Sequence, residues 1–111
     1  MMFLEKISRE MRERIVKGFL DIAIMAKLRE GNPMSGYDVI AFVHEEFGIL
    51  LSSGTVYSVL YSMERNGLVR GMWTKRKRVY KLTGRGEEII KAVLNLIEEI
   101  QKTVKLLIGS K

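Results

Sequence analysis

The chain has 111 residues, 47% of them apolar and 29% charged, with one proline, no cysteine and a net charge of +6. That length predicts one domain over residues 1–111, with a core of limited stability. No cysteine means no disulfide and no thiolate metal site, and no 18-residue apolar run exists to span a membrane. The opening Met1-Met2-Phe3-Leu4-Glu5-Lys6 is too acidic and too short in apolar residues for a signal peptide. A cytoplasmic location without membrane association is therefore expected.

Residues 3–17 place Leu4, Ile7, Met11 and Ile15 at three- and four-residue spacing with charges between, which predicts an amphipathic helix. Residues 19–30 predict a second helix, apolar around most of its circumference and so covered on more than one side. Gly31-Asn32-Pro33 stops it. Ser35-Gly36-Tyr37-Asp38 fits a capping box, and the helix it opens sets Ile40, Val43 and Phe47 on one face up to Gly48. After Ile49-Leu50-Leu51, Ser52 or Ser53 caps a fourth helix that ends at Asn66-Gly67.

At 100° per residue, this fourth helix gathers Val56, Val59, Leu60 and Met63 on one arc. Gly54, Ser58, Tyr61 and Arg65 fall opposite, with Tyr57 and Ser62 on the flanks. A solvated helix face is normally lined by Lys and Glu. Small and hydroxyl-bearing side chains instead allow close approach to another surface, and hydroxyls can donate to phosphate oxygens or base edges. The plainer alternative makes Ser52 and Thr55 simple caps and Tyr57 and Tyr61 half-buried core residues.

Seven cations and no acid lie between Arg70 and Arg85, while the other 95 residues carry twelve cations and thirteen acids. Four of the seven are consecutive, Lys75-Arg76-Lys77-Arg78. They are flanked by Leu68–Trp73 and Val79–Leu82, which have the β-branched and aromatic content of strands. A hairpin with a cationic tip is expected, a rigid surface for a polyanion. Trp73, at the base of this hairpin, is expected to pack beneath it rather than line a ligand cavity. Thr83 caps a last helix that runs to about Ile108, roughly 35 Å. Two packed helices, the second with a contact face, followed by a basic hairpin, describe a winged helix-turn-helix.

In the last helix Ile90, Val93, Ile97, Ile100, Val104 and Leu107 step by threes and fours in a heptad-type stripe. With Leu4, Ile7, Met11 and Ile15 of the first helix, it predicts a homodimer seam over residues 3–17 and 86–108. The DNA-binding core is then residues 18–84. The alternative packs the first and last helices only on each other within one chain.

Several motifs resemble the PadR family of transcriptional regulators. They are Leu20-Asp21-Ile22-Ala23-Ile24, Gly36-Tyr37-Asp38-Val39-Ile40, Phe47-Gly48-Ile49 and Ser53-Gly54-Thr55-Val56-Tyr57. Leu60 to Val69 and Tyr80-Lys81-Leu82-Thr83-Gly84-Arg85-Gly86 complete the match over about residues 18–90. The length resembles the short subgroup with a single C-terminal helix. The resemblance implies a homodimeric repressor on an inverted-repeat operator in double-stranded DNA. It implies contacts from Tyr37, Thr55, Tyr57 and the wing cations; it names no effector, so a small-molecule effector stays open, and no cofactor is expected. The chain departs from the family pattern at Ser53, where Pro is usual, at Ser35, where His is common, and at Asn32, an extra turn residue.

The expected fold is mainly α with a small β-hairpin, an N-terminal helix and a long C-terminal dimerisation helix. Tyr61, Ser58 and Arg65 would face the major groove. Ser53, Gly54, Thr55, Tyr57 and Tyr37 would lie along phosphates, with Lys75, Arg76, Lys77 and Arg78 supplying wing contacts. A docking or architectural module that binds protein, RNA or DNA without sequence preference is the rival reading. No nucleophile elbow, P-loop or dinucleotide fingerprint is present, so an enzyme is not expected. His44, the only histidine, makes a poor metal site without cysteines.

Overall fold

The computed structural model describes residues 2–109. In chain order the elements are α1 (Met2–Gly18), α2 (Leu20–Leu28), β1 (Met34–Ser35), α3 (Gly36–Phe47) and α4 (Ser53–Arg65). They continue with β2 (Val69–Thr74), β3 (Lys77–Leu82), α5 (Gly84–Leu94) and α6 (Ile97–Ile108). The expected helices and hairpin are present, with two differences. A short strand precedes α3, and the last helix is broken in two.

The core forms where α2, α3, α4, the sheet and α5 meet. Leu20, Ile24, Val39, Val43, Val56, Leu60, Tyr80 and Ile90 are all fully buried there. As its all-round apolar character requires, α2 is covered on several sides. On α3 the buried face is Val39, Phe42 and Val43. Ile40 and Phe47 are only half-buried, one step round from the expected arc, because α3 packs against both α4 and β1.

The sheet is antiparallel in the order β1-β3-β2. β1 joins by pairing Met34 with Tyr80 and Ser35 with Val79. Ser35 also caps α3. Its hydroxyl accepts from the Asp38 amide at 3.1 Å, and the Asp38 carboxylate accepts from the Ser35 amide at 2.9 Å. This reciprocal box fixes the first turn of α3, and Tyr37 on it, to the edge of the sheet.

Helix stops follow the local chemistry. Gly48 and Gly67 take left-handed φ values of 68° and 73°, as expected for the ends of α3 and α4. Thr83 caps α5, its hydroxyl accepting from the Gly86 amide. At Asn95 the amide is shared between the Lys91 and Ala92 carbonyls, and the Leu96 amide bonds to Val93 three residues back. The helix tightens, Leu96 leaves the helical region at φ −111°, and α6 restarts. Asparagine is a weak helix former, and its side chain competes for backbone partners.

The core ends at this break. Ile90 is fully buried and Val93 is half-buried against the core, so both already have apolar cover within the protomer. α6 buries no residue and α1 only Val16. Both helices project from the core. The radius of gyration is 15.4 Å, against about 13 Å for a compact chain of this length. Arg12 ties α1 down by donating to the Phe47 carbonyl at 3.0 Å, and Arg29 joins α2 to α5 through Glu87 at 2.9 Å. No helix among the described residues is long and apolar enough to cross a membrane.

Candidate nucleic-acid interface

The N-cap of α4 is Ser52. Its hydroxyl accepts from the Thr55 amide at 3.2 Å and donates to the Thr55 hydroxyl at 2.9 Å. Thr55 is therefore half-buried and engaged in the cap, while Ser53 and Gly54 lie exposed beside it. Val56, Leu60 and Met63 anchor the helix in the core. That orientation leaves Tyr61, Arg65 and Ser58 in solvent, Tyr61 being 51% exposed. Tyr61 lies toward the hairpin. Ser58 lies toward the start of α2, in a shallow depression shared with Lys17 and Asp21.

Tyr57 takes the flank of α4 that faces α3. A Cβ on Gly36 would sit 2.5 Å from the Tyr57 ring, so only glycine lets that ring lie against the first turn of α3. The Tyr57 and Tyr61 ring centroids are 6.1 Å apart, and Tyr37 stands beside them 78% exposed.

The wing is β2 paired with β3, from Val69↔Leu82 to Thr74↔Lys77, closed by the two-residue turn Lys75-Arg76. Lys75 takes φ 57°, a left-handed conformation costly for a residue with a Cβ. A lysine at a turn position suited to glycine or asparagine puts a cation at the tip at the expense of backbone strain. Arg70 and Lys81 sit directly opposite each other, both exposed, a like-charge pair that weakens the ladder unless an anion lies between. Among the described residues, Arg78 is the wing cation with an acidic partner.

That partner is Glu64 on α4. Both its carboxylate oxygens accept from one Arg78 terminal nitrogen, at 2.9 and 3.1 Å, and one of them also accepts from the Gly71 amide at 3.0 Å. The Gly71 amide and the Arg78 guanidinium hold Glu64 below the usual carboxylate range, against an opposing push from burial. The guanidinium also lies over the Trp73 and Tyr80 rings, at 5.9 and 5.7 Å from their centroids. The Tyr80 hydroxyl is buried without a hydrogen-bond partner among the described residues. Its burial raises the phenol's pKa, and the charge of Arg78 works against that rise. Arg78, expected among the outward wing contacts, is therefore occupied by an internal ion pair.

Trp73 is not packed under the hairpin. It is 69% exposed, next to the turn rather than at the base, because its partner in the ladder is Arg78. With Tyr37, Tyr57, Tyr61, Arg76 and Lys77 it walls an open cleft of about 660 Å³ between the wing and the two helices. Glu64, Gly71 and the exposed Trp73 are the site residues that sequence reasoning missed. The clue available for Gly71 was an isolated glycine inside a strand pattern, which marks close approach by another group.

Of the expected seam residues, Leu4, Ile7, Met11 and Ile15 on α1 and Ile97, Val104 and Leu107 on α6 are exposed, Leu107 at 82%. Ile90 lies in the core, and Val93 and Ile100 are half-buried.

Helices α2 to α4 with a hairpin latched behind α4 define a winged helix-turn-helix protein. The chain belongs to the transcriptional regulator PadR-like family, whose model matches residues 24–92. The fold is similar to that of a PadR family transcriptional regulator from Eggerthella lenta, at 22% identity and a TM-score of 0.77, covering 100% of both chains. It is also similar to a PadR family transcription regulator from Clostridium difficile, at 24% identity and 0.71, over 82% of this chain and 99% of that one. Bacillus subtilis PadR in complex with operator DNA matches at 27% identity and 0.57, over 68% of this chain and 47% of its own. No curated protein matches the sequence.

Proposed function

We propose that this chain is a sequence-specific DNA-binding repressor, acting as a homodimer on an inverted-repeat operator in double-stranded DNA. The observation that carries this reading is the surface of α4 and its neighbour. An outer face of Tyr61, Ser58, Gly54 and Arg65 stands beside a wing whose tip cations form no ion pair among the described residues. In this reading α4 enters the major groove, with Tyr61 and Arg65 at base edges. Ser53, Thr55, Tyr57 and Tyr37 lie along the phosphates, and Lys75, Arg76 and Lys77 meet the neighbouring backbone. The operator complex of the Bacillus relative supports the same use of the fold.

The exposed apolar faces of α1 and α6 support the dimer, since a lone chain gains nothing by leaving Leu4, Ile15, Val104 and Leu107 in water. Two copies related by a two-fold axis would present two α4 helices to two half-sites. Selection of bound duplexes from a random library tests this directly. Recovery of an inverted repeat with half-sites about one helical turn apart is expected. Recovery of no motif, with binding that fades as salt rises, would favour the non-specific docking or architectural role instead.

A further inference from the structure

We infer that Glu64 is a positioning residue that latches the wing to the recognition helix and so sets where the tip cations meet DNA. The inference rests on the DNA-binding reading above and assigns a role to three residues that make no outward contact in it.

Three observations converge on the latch. Glu64 sits on α4 yet accepts from one group on each wing strand, the Gly71 amide on β2 and the Arg78 guanidinium on β3. No other side chain among the described residues hydrogen-bonds α4 to the strands of the wing. Gly71 is shaped for the arrangement, since a Cβ there would lie 2.5 Å from the Arg78 terminal nitrogen. The guanidinium crosses the strand only because nothing projects from that position. Arg78 in turn lies over Trp73, so the latch also fixes the wing-side wall of the aromatic cleft.

A latch of this kind makes the tip of the wing, which is two-stranded beyond the Ser35–Val79 pair that β1 supplies, a rigid extension of α4. A two-stranded ribbon has little stability of its own. Held at three hydrogen bonds, it keeps Lys75 and Arg76 at a constant offset from the face that carries Tyr61 and Arg65. Affinity then draws on both surfaces at once without an ordering cost at binding.

The role predicts the opposite sign from simple electrostatics. Removing an acid next to a basic wing should tighten binding to any polyanion. If Glu64 is a latch, Glu64→Ala should weaken it. The experiment is a titration of operator duplex, obtained by library selection, against wild type, Glu64→Ala and Gly71→Ala at several salt concentrations. Gly71→Ala changes no charge, and the nearest atoms its Cβ would meet all belong to the flexible end of Arg78, so the variant is expected to fold, which thermal unfolding checks.

The latch predicts that both variants bind about tenfold more weakly, with the salt slope reduced by roughly one to two contacts at ~0.9 each as the tip cations disengage. The sequence preference read by α4 should stay unchanged. Tighter binding by Glu64→Ala, or wild-type affinity and slope in Gly71→Ala, would overturn the latch and leave the DNA-binding reading standing. A wild-type protein that binds no duplex would overturn both.

Discussion

The winged core and the helical arms use the same apolar periodicity to opposite ends. In the core, the stripes of α2 and α4 are covered by neighbouring elements, and Leu20, Ile24, Val56 and Leu60 are fully buried. On the arms, stripes of equal regularity in α1 and α6 face water, with Leu4 and Leu107 among the most exposed apolar residues. Periodicity identifies which face of a helix is apolar. Whether the partner for that face lies in the same chain is decided by how much core remains to be covered, and here the core is closed by Ile90 and Val93 before α6 begins.

The contrast can be broken most sharply from the core side. Leu60→Ala should cost about 2–5 kcal/mol of unfolding free energy, because a fully buried side chain leaves a cavity. Leu107→Ala on α6 should stay within about 0.5 kcal/mol in the unfolding of an isolated protomer. Denaturant titration measures both, and a large loss at Leu107 in the protomer would place α6 in the core after all.

Next in size are the arms as interface. Leu107→Glu together with Ile15→Glu should weaken self-association by at least about 1–2 kcal/mol per protomer, read by sedimentation equilibrium, while the protomer remains folded. Unchanged association would mean the exposed faces of α1 and α6 are not the seam.

Within the core's outer surface, two arginines should behave differently. Arg65→Ala is expected to cost about 1–3 kcal/mol on the selected operator and little on random duplex, altering preference at one position. Arg76→Ala should weaken both alike and lower the salt slope by about 0.9. Equal losses on both duplexes for Arg65→Ala would remove it from base reading.

The smallest effect concerns the wing tip. Lys75→Gly should raise stability by up to about 1 kcal/mol, because glycine tolerates the left-handed backbone that lysine occupies at a cost. The same change should weaken DNA binding, separating the strain from its use.

Acid should act on the latch in a known direction. Because Glu64 is held below the ordinary carboxylate range, its contribution is complete above that range and is lost as pH falls through its own lowered value. The Gly71 amide resonance should therefore keep its position through mild acid and move only at lower pH.

Much of this architecture was legible in local signals. The capping box at Ser35 and Asp38, the cap at Thr83 and the stops at Gly48 and Gly67 all rest on interactions within a few residues, and all are present. What escaped reading depends on distant partners or on pattern continuity. β1 has two residues, too few to alternate, and exists only because β3 offers its edge. Val93 and Ile97 keep the four-residue step of the stripe, so the break between them leaves no mark in the apolar pattern. The Glu64–Arg78 pair spans 14 residues and two elements, and a run of four cations hides the one that is turned inward.

The measurement that tests the central claim most directly is the affinity of the wild-type protein for its selected duplex and for a scrambled duplex of equal length, each across a salt series. The account predicts a ratio of roughly a thousandfold or more that survives rising salt, on top of a shared steep loss from phosphate contacts. Equal affinities for the two duplexes, falling together as salt rises, would contradict it and leave a basic wing with no sequence to read.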